Sequence, residues 1–348
     1  MQRLNYIGSK YKLLEWIVEN IKEQTDFADF NGIKFADLFA GTGVVSFYFR
    51  NLGAITISND AELYSYILVR ALTCCTFTDK CHRILDELGQ NREEIIGYIT
   101  KHYSPYDGNE RKFFTIENAK KIDTMRNRIE EMHKDGLISE DEYIFLLASL
   151  IVSADAVSNV PAVYGCYLKN FKDKAKKPLQ LRPIHLSKNE KIEGTFCYNA
   201  DILSLCHDID IVDIVYLDPP YNERQYSKNY FPLNMIAKNT EQLNDEPELK
   251  GITGIPVGCF ISSFCKRGQA ESAFKDLFDK LKTKTKWIFM SYNSESIVTK
   301  DRMIEIMSAY GKCSVVSQDY KRFKSFEYNK DKVIQEYLFC LEINNFKV

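Results

Sequence analysis

Apolar residues along this chain fall into two kinds of pattern. Short continuous runs that stop at glycine or aspartate predict buried strands; runs in which apolar residues recur every three or four positions predict helices. Phe35 to Phe39 is the first short run and ends at glycines, and Val44 to Leu52 then has helical spacing. Ala54 to Ser58 is β-rich and stops at Asn59 and Asp60. Strand, glycine turn, helix and strand make a βαβ unit, which implies a parallel sheet. Four later stretches extend it: Thr195 to Tyr198, Ile211 to Leu217, Trp287 to Ser291, and a closing pair around Cys313 to Val316 and Glu336 to Leu341. A turn-rich basic segment joins the closing pair, as in an antiparallel edge hairpin.

The stretch between the second strand and Thr195 has a different period. From Leu63 to Leu150 the apolar residues recur at helical spacing, for example Ile122, Met125, Ile129 and Met132. Val160 to Pro183 reads as a basic loop, and a second, smaller insertion follows Pro220 and runs through Asn244 to Gly258. The expected fold class is therefore α/β: a mostly parallel sheet with an antiparallel edge hairpin, interrupted by a mainly helical insertion. The expected boundaries are 1–62 and 195–348 for the sheet domain and 63–194 for the insertion.

Composition changes this picture little. A chain of 348 residues, 45% hydrophobic and 27% charged, suits one large globular domain or two modest ones. The N-terminus carries no apolar run behind a basic region, and no apolar stretch is long enough to span a membrane, so a cytoplasmic protein is expected. The 10 cysteines include no Cys-x-x-Cys pair, and buried free thiols are expected. The 5 histidines lack metal-ligand spacing, so no metal site is expected. The net charge of -2 is silent about nucleic acid, because phosphate affinity comes from local Lys and Arg. Locally, Lys169, Lys172, Lys174, Lys176, Lys177 and Arg182 cluster around a single acid, Asp173. Either a phosphate-binding surface or a solvated loop accounts for that run.

The residues with the clearest chemistry are Asp218, Pro219, Pro220 and Tyr221, directly after the apolar strand Ile211 to Leu217. Open α/β sheets bind ligands at the carboxyl ends of their strands. Two prolines fix φ and remove backbone donors, and an ionised aspartate only accepts. Asp218 and the Pro219 carbonyl can thus accept both hydrogens of an aromatic amino group and aim its lone pair at an electrophile, with Tyr221 as a stacking face. The alternative is a strand-ending turn, for which Asp-Pro and Pro-Pro are ordinary punctuation.

Asp37-Leu38-Phe39-Ala40-Gly41-Thr42-Gly43 occupies the first strand-to-helix turn, where glycines let backbone approach a ligand near a helix N-terminus. The third glycine of a dinucleotide fingerprint is missing, since Phe47 follows, which argues for a smaller nucleoside ligand. Asp60, after the second strand, is placed to accept from ribose hydroxyls or to serve as a helix cap. Asp201, in Asn199-Ala200-Asp201-Ile202, can accept from an adenine amino group while Ile202 packs on the ring; an Asx-turn explains it equally well.

Asn5-Tyr6-Ile7-Gly8-Ser9-Lys10, then Asp37 to Gly43, then Asp218 to Tyr221, in that order, resembles the Dam-like (alpha group) DNA adenine-N6 methyltransferases. The stretch from Asp218 to Tyr230, with Gly251-Ile-Thr-Gly254 downstream, is closer to the adenine methylases of FokI-type restriction systems. The resemblance implies a Rossmann-like methyltransferase sheet that uses S-adenosyl-L-methionine. It implies that Tyr6 and Lys10 help hold that cofactor, Lys10 facing its carboxylate, and that Asp37, Gly41 and Gly43 line its methionine and sulfonium end, with Phe39 in the same pocket. Asp60 would bind its ribose and Asp201 with Ile202 its adenine. Asp218, Pro219, Pro220 and Tyr221 would be catalytic. Tyr6 stands where Trp is frequent in the family, and Ser9 where a second glycine is frequent.

Such enzymes keep their target-recognition region in the insertion, so Lys169 to Arg182, helped by Lys228 and Lys321-Arg322, would contact DNA. The target base would be flipped out of the duplex, and a separate restriction endonuclease is an expected partner. No Pro-Cys dipeptide of the cytosine-C5 type occurs. Alternatives of similar chemistry are an RNA adenine-N6 enzyme and a cytosine-N4 enzyme; a catalytically dead DNA-binding subunit is a third.

Overall fold

The computed structural model describes Leu4, Tyr6 and residues 8–184, 190–244, 248–321 and 333–346. Arg322 of the basic segment lies outside the described residues. The chain forms two compact units, one of Gly8–Ala61, Ile192–Gln225 and Ile261–Val348, the other of Met1–Ile7, Glu62–Lys191 and Tyr226–Phe260. Strands in chain order are β1 (Lys34–Asp37), β2 (Ile55–Asn59), β3 (Phe196–Tyr198), β4 (Ile214–Leu217), β5 (Leu249–Lys250), β6 (Ile255–Pro256), β7 (Trp287–Asn293), β8 (Gly311–Lys321) and β9 (Val333–Ile343).

The first unit is built on a seven-stranded sheet of order β3-β2-β1-β4-β7-β9-β8. The pairs among β3, β2, β1, β4 and β7 are parallel, and β9 runs antiparallel to both β7 and β8. Successive side chains of a strand face opposite sides. On β4, Ile214 and Tyr216 enter one core with Phe35, Phe289 and Leu338 under the helices Leu14–Gln24 and Val44–Asn51. Val215 and Leu217 enter the other core with Ala36, Met290 and Phe339 under the helices Ala270–Leu281 and Lys300–Ser308. Burial on both faces explains why these strands read as unbroken apolar runs. The expected edge hairpin is present, with β8 outermost.

The second unit is mainly helical, with helices Leu63–Thr73, Asp79–Gln90, Ile116–Lys134 and Glu140–Ala156. Thr115 caps one through Asn118, and Ser139 with Glu142 forms a capping box on another, which satisfies amide donors a helix start leaves open. Residues 226–260 belong to this unit, whereas the sequence pattern assigns them to the sheet domain. Their polar groups explain why. The Asn234 amide donates to Glu62 at 2.6 Å, Thr240 donates twice to Glu130 at 2.8 Å, and the Tyr103 hydroxyl donates to the Gly254 carbonyl at 3.2 Å. The basic stretch Val160 to Pro183, expected as loop throughout, contains the short helix Asp173–Lys176. Among the described residues the cysteines form no disulfide, and Cys166 is exposed while Cys74, Cys259 and Cys313 are half-buried, so burial does not hold for all of them. Among the described residues no helix is long and apolar enough to cross a membrane.

Candidate active site

Strand order reverses at β1, whose neighbours are β2 on one side and β4 on the other. At such a switch point the loops leaving the two strands diverge and open a crevice at their carboxyl ends. Asp37 ends β1, and the chain turns through Gly41 and Gly43, with φ of 54° and 75°, into the helix Val44–Asn51. Glycine adopts those angles at no steric cost. The turn is anchored at each step: Leu38 N–H donates to the Tyr216 carbonyl at 3.2 Å and Ala40 N–H to the Asn59 carbonyl at 2.9 Å. Gly41 N–H donates to Oδ2 of Asp60 at 2.8 Å.

Asn59 is the knot of this corner. Its buried amide donates to the Leu38 carbonyl at 3.2 Å and the Ala200 carbonyl at 3.1 Å, and its Oδ1 accepts from Ala200 N–H at 3.1 Å. One carboxamide thereby joins the loops that follow β1, β2 and β3, and sets Asp60 and Asp201 at their ends. Asp37 is buried, with Oδ2 accepting from Ser46 N–H at 3.1 Å and Ser46 Oγ at 2.6 Å. Ser58 Oγ donates on to Ser46 Oγ at 2.9 Å. Oδ1 of Asp37 has no hydrogen-bond partner among the described residues. Burial above all, then the charges of Asp218 and Asp60, raises the Asp37 carboxyl to about 7.

Asp218 leaves the end of β4, which pairs with β1. Its Oδ1 is 2.8 Å from Nζ of Lys10, which is 3.1 Å from Oε1 of Glu336 and donates to the Gly8 carbonyl at 3.3 Å. Burial works against the Lys10 ammonium, but Asp218 and Glu336 outweigh it and hold its pKa well above the ordinary range. Burial raises Asp218 to about 6, with Lys10 pulling down and Glu336 pushing up. Ionised above that pH, Asp218 is an acceptor in a corner where Pro219 and Pro220 supply no N–H. The far end of the tetrapeptide is fixed by Ile297 N–H, which donates to the Tyr221 carbonyl at 2.9 Å. The Tyr221 ring lies 6.0 Å from Lys10 Nζ, and burial lifts its hydroxyl to about 12, so it stays a neutral phenol.

The strand ends thus gather Lys10, Asp37, Gly41, Gly43, Asp60, Asp201 and Asp218 within the sheet unit. Four residues stand differently from what the sequence suggests. The Lys10 ammonium is taken up by Asp218 and Glu336. Ile202 is 3% exposed and belongs to the sheet core, which leaves little surface to pack on a ring. Phe39 meets Phe264 edge-on at 5.3 Å. Tyr6 belongs to the helical unit, where its ring stacks on Tyr230 at 5.1 Å and lies 5.5 Å from Tyr226. Sequence reasoning missed Ser46, Asn59 and Glu336 altogether. Nothing local marks them, since the bonds of Asn59 to Ala200 span 141 residues.

The basic stretch lies in the helical unit and is pinned from within. Buried Asn118 bonds the carbonyls of Ala175 and Lys177 and the N–H of Leu179, and buried Asn159 bonds the carbonyls of Lys112 and Leu168 and the N–H of Lys172. Lys172 is folded in, its ammonium on the Val160 carbonyl, and burial followed by Lys174 lowers it to about 8. Lys174 is half-buried, whereas Lys169, Lys176, Lys177, Arg182 and Lys228 are exposed. Lys176 lies 3.6 Å from Asp173, and Arg182 bonds Gln180.

The family described as D12 class N6 adenine-specific DNA methyltransferase matches residues 6–306. The Type II methyltransferase M.CviAII of Paramecium bursaria Chlorella virus 1 is 41% identical over 99% of this chain and 99% of its own. The Type II methyltransferase M.NlaIII of Neisseria lactamica is 39% identical over 92% of this chain and 93% of its own. The Type II methyltransferase M.FokI of Planomicrobium okeanokoites is 33% identical over 97% of this chain but 52% of its own.

Proposed function

Because this chain belongs to the D12 class of N6 adenine-specific DNA methyltransferases, we propose that it takes its methyl group from S-adenosyl-L-methionine at the carboxyl ends of β1, β2 and β4. That cofactor, when bound, supplies an electrophilic methyl carbon on a sulfonium cation. The corner suits a cation: Asp37 is raised to about 7 by burial and by neighbouring acids, and a positive charge beside it relieves both effects. Gly41 and Gly43, lacking Cβ atoms, admit the ligand close to the backbone. Asp60 accepts from ribose hydroxyls and Asp201 from the adenine amino group of the cofactor, each held by the loops that Asn59 ties.

Asp218 and the Pro219 carbonyl accept the two hydrogens of the target adenine amine, so its lone pair faces the methyl carbon. Tyr221 offers the stacking face that a flipped base requires. Acceleration comes from orientation and from oriented acceptors that stabilise positive charge developing on the nitrogen. The sheet unit is the catalytic part, and the helical unit, with the exposed Lys169, Lys176, Lys177, Arg182 and Lys228, meets DNA phosphates and reads the site. Since the relatives are named Type II methyltransferases, a restriction endonuclease of the same specificity is the partner we propose.

One observation carries the reading: a strand-end aspartate followed by two prolines sits next to the glycine turn, with its carboxylate gripped by a buried lysine. The test is Asp218→Ala. Transfer of methyl groups to DNA should fall by at least about a hundredfold, with DNA affinity and calorimetric cofactor binding retained. Undiminished turnover overturns the assigned role.

A further inference from the structure

The antiparallel strand β9 brings a residue from near its own start to the edge where the parallel strands end. Asn293, the last residue of β7, stands opposite Glu336 on β9. Glu336 is 5% exposed, and a carboxylate is tolerated at such depth only when it is paired. Its partner is Lys10, at 3.1 Å. The Lys10 ammonium donates to the Gly8 carbonyl and lies 2.8 Å from Oδ1 of Asp218 and 3.1 Å from Oε1 of Glu336; the last contact is an ion pair, since that oxygen accepts no hydrogen bond among the described residues. Lys10 is therefore held between two carboxylates that come from different strands.

We infer that Glu336 is a positioning residue for methyl transfer: as the second carboxylate of the ion pair it holds the Lys10 ammonium beside Asp218 and offsets its charge. Asp218 then remains a strong acceptor for the target amine. This inference rests on the role proposed above for Asp218. With both carboxylates ionised, two negative charges and one positive leave the triad one unit negative beside a nitrogen that becomes positive as it takes the methyl carbon. Without Glu336, Lys10 would neutralise Asp218 alone and would lose one of the two carboxylates that hold it.

Several elements bring charged and titratable groups around Asp218. Lys10 comes from the N-terminal turn, Glu336 from β9, Asp37 from the end of β1, Tyr216 from β4 and Tyr221 from the loop of Asp218 itself. Burial raises both tyrosines, and the Tyr216 hydroxyl bonds Ser291 Oγ at 2.6 Å, so they remain neutral. Glu336 pushes the Asp218 carboxyl up while Lys10 pulls it down.

The test is kcat for the full chain with saturating S-adenosyl-L-methionine and unmethylated genomic DNA, from about pH 5 to 9. Glu336→Gln keeps the shape; it should move the acid limb down by about one unit and lower the plateau about tenfold, with KM for DNA within about twofold. Lys10→Met should move the limb up. Glu336→Asp, which restores the charge, should return the limb toward the wild-type position and so separates charge from folding. An unmoved limb with full kcat in Glu336→Gln overturns the inference, as does a shift of the same sign in Glu336→Gln and Lys10→Met. Wild-type turnover by Asp218→Asn sinks the reading of Asp218 instead, whatever the Glu336 variants do.

Discussion

Both units of this protein bury carboxylates, and they use them for different ends. In the helical unit Asp123 spends both oxygens on the chain, accepting from the N–H groups of Gly97, Ile99 and Thr100 at 2.8 to 3.0 Å and from Thr100 Oγ at 2.6 Å. Glu130 accepts from Thr240 and Arg126 through Oε2, and its Oε1 is ion-paired with Lys134 at 2.6 Å. Burial acts to raise its pKa, but those partners prevail and hold it at about 2. In the sheet unit Asp37 keeps an oxygen without a partner among the described residues, and Asp218 is gripped through one lysine while its carboxyl is raised to about 6. A buried acid fully occupied by its own backbone is architecture. One left short of donors, next to a second such acid, is available to a ligand.

The sharpest way to break this contrast is to truncate one acid from each unit. Asp123→Ala should cost about 3 kcal/mol of stability in urea unfolding, because several amide donors lose their acceptor at once, while transfer per folded molecule stays near wild type. Asp218→Asn should change stability by less than about 1 kcal/mol, because the folded state already disfavours its ionised form. Equal stability losses in the two variants would erase the distinction between them.

The same contrast has a pH signature. Protonating Asp218 removes an acceptor, so kcat should fall about tenfold per unit as pH drops below about 6 and level off above it. Glu130 stays ionised to about 2, so its contribution to stability is still whole near pH 6, declines only below the ordinary glutamate range and is gone below about 2. The activity lost near pH 6 should therefore return fully on neutralisation, with circular dichroism unchanged throughout. Unfolding coincident with the activity loss would contradict that.

A smaller effect is expected at Asn59, which shapes the sheet unit without touching the target base. Asn59→Ala should raise KM for S-adenosyl-L-methionine about tenfold with KM for DNA unaltered; equal changes in both would mean general loosening. Smaller still, replacing Lys174, Lys176 and Lys177 with Gln should weaken DNA binding a few-fold and flatten its salt dependence by about 0.9 for each phosphate no longer neutralised. An unchanged slope returns that stretch to a solvated surface.

The sequence disclosed most of the sheet unit because its strands are buried on both faces, which leaves long apolar runs, and because glycine and proline mark turns wherever they fall. Asp218 and Gly41 were legible for that reason. The helix Tyr226–Ala237 was not: Pro232 lies inside it and Tyr230 departs from helical angles at φ -133°, so its pattern resembles a loop. Nor was Glu336, one charged residue in an edge hairpin, because its meaning comes from the register of β9 against β7. Ser46 and Asn59 act through bonds across chain segments, and a polar side chain carries no local trace of a distant partner.

Single-turnover transfer of tritiated methyl groups from S-adenosyl-L-methionine to unmethylated genomic DNA, with the products resolved as nucleosides, tests the central claim most directly. With the wild-type chain the label should appear in N6-methyladenine. With Asp218→Asn, which preserves the shape but replaces one acceptor with a donor, the rate should fall at least about a hundredfold while DNA remains bound. Label in N4-methylcytosine, or an Asp218→Asn rate equal to wild type, would contradict the account.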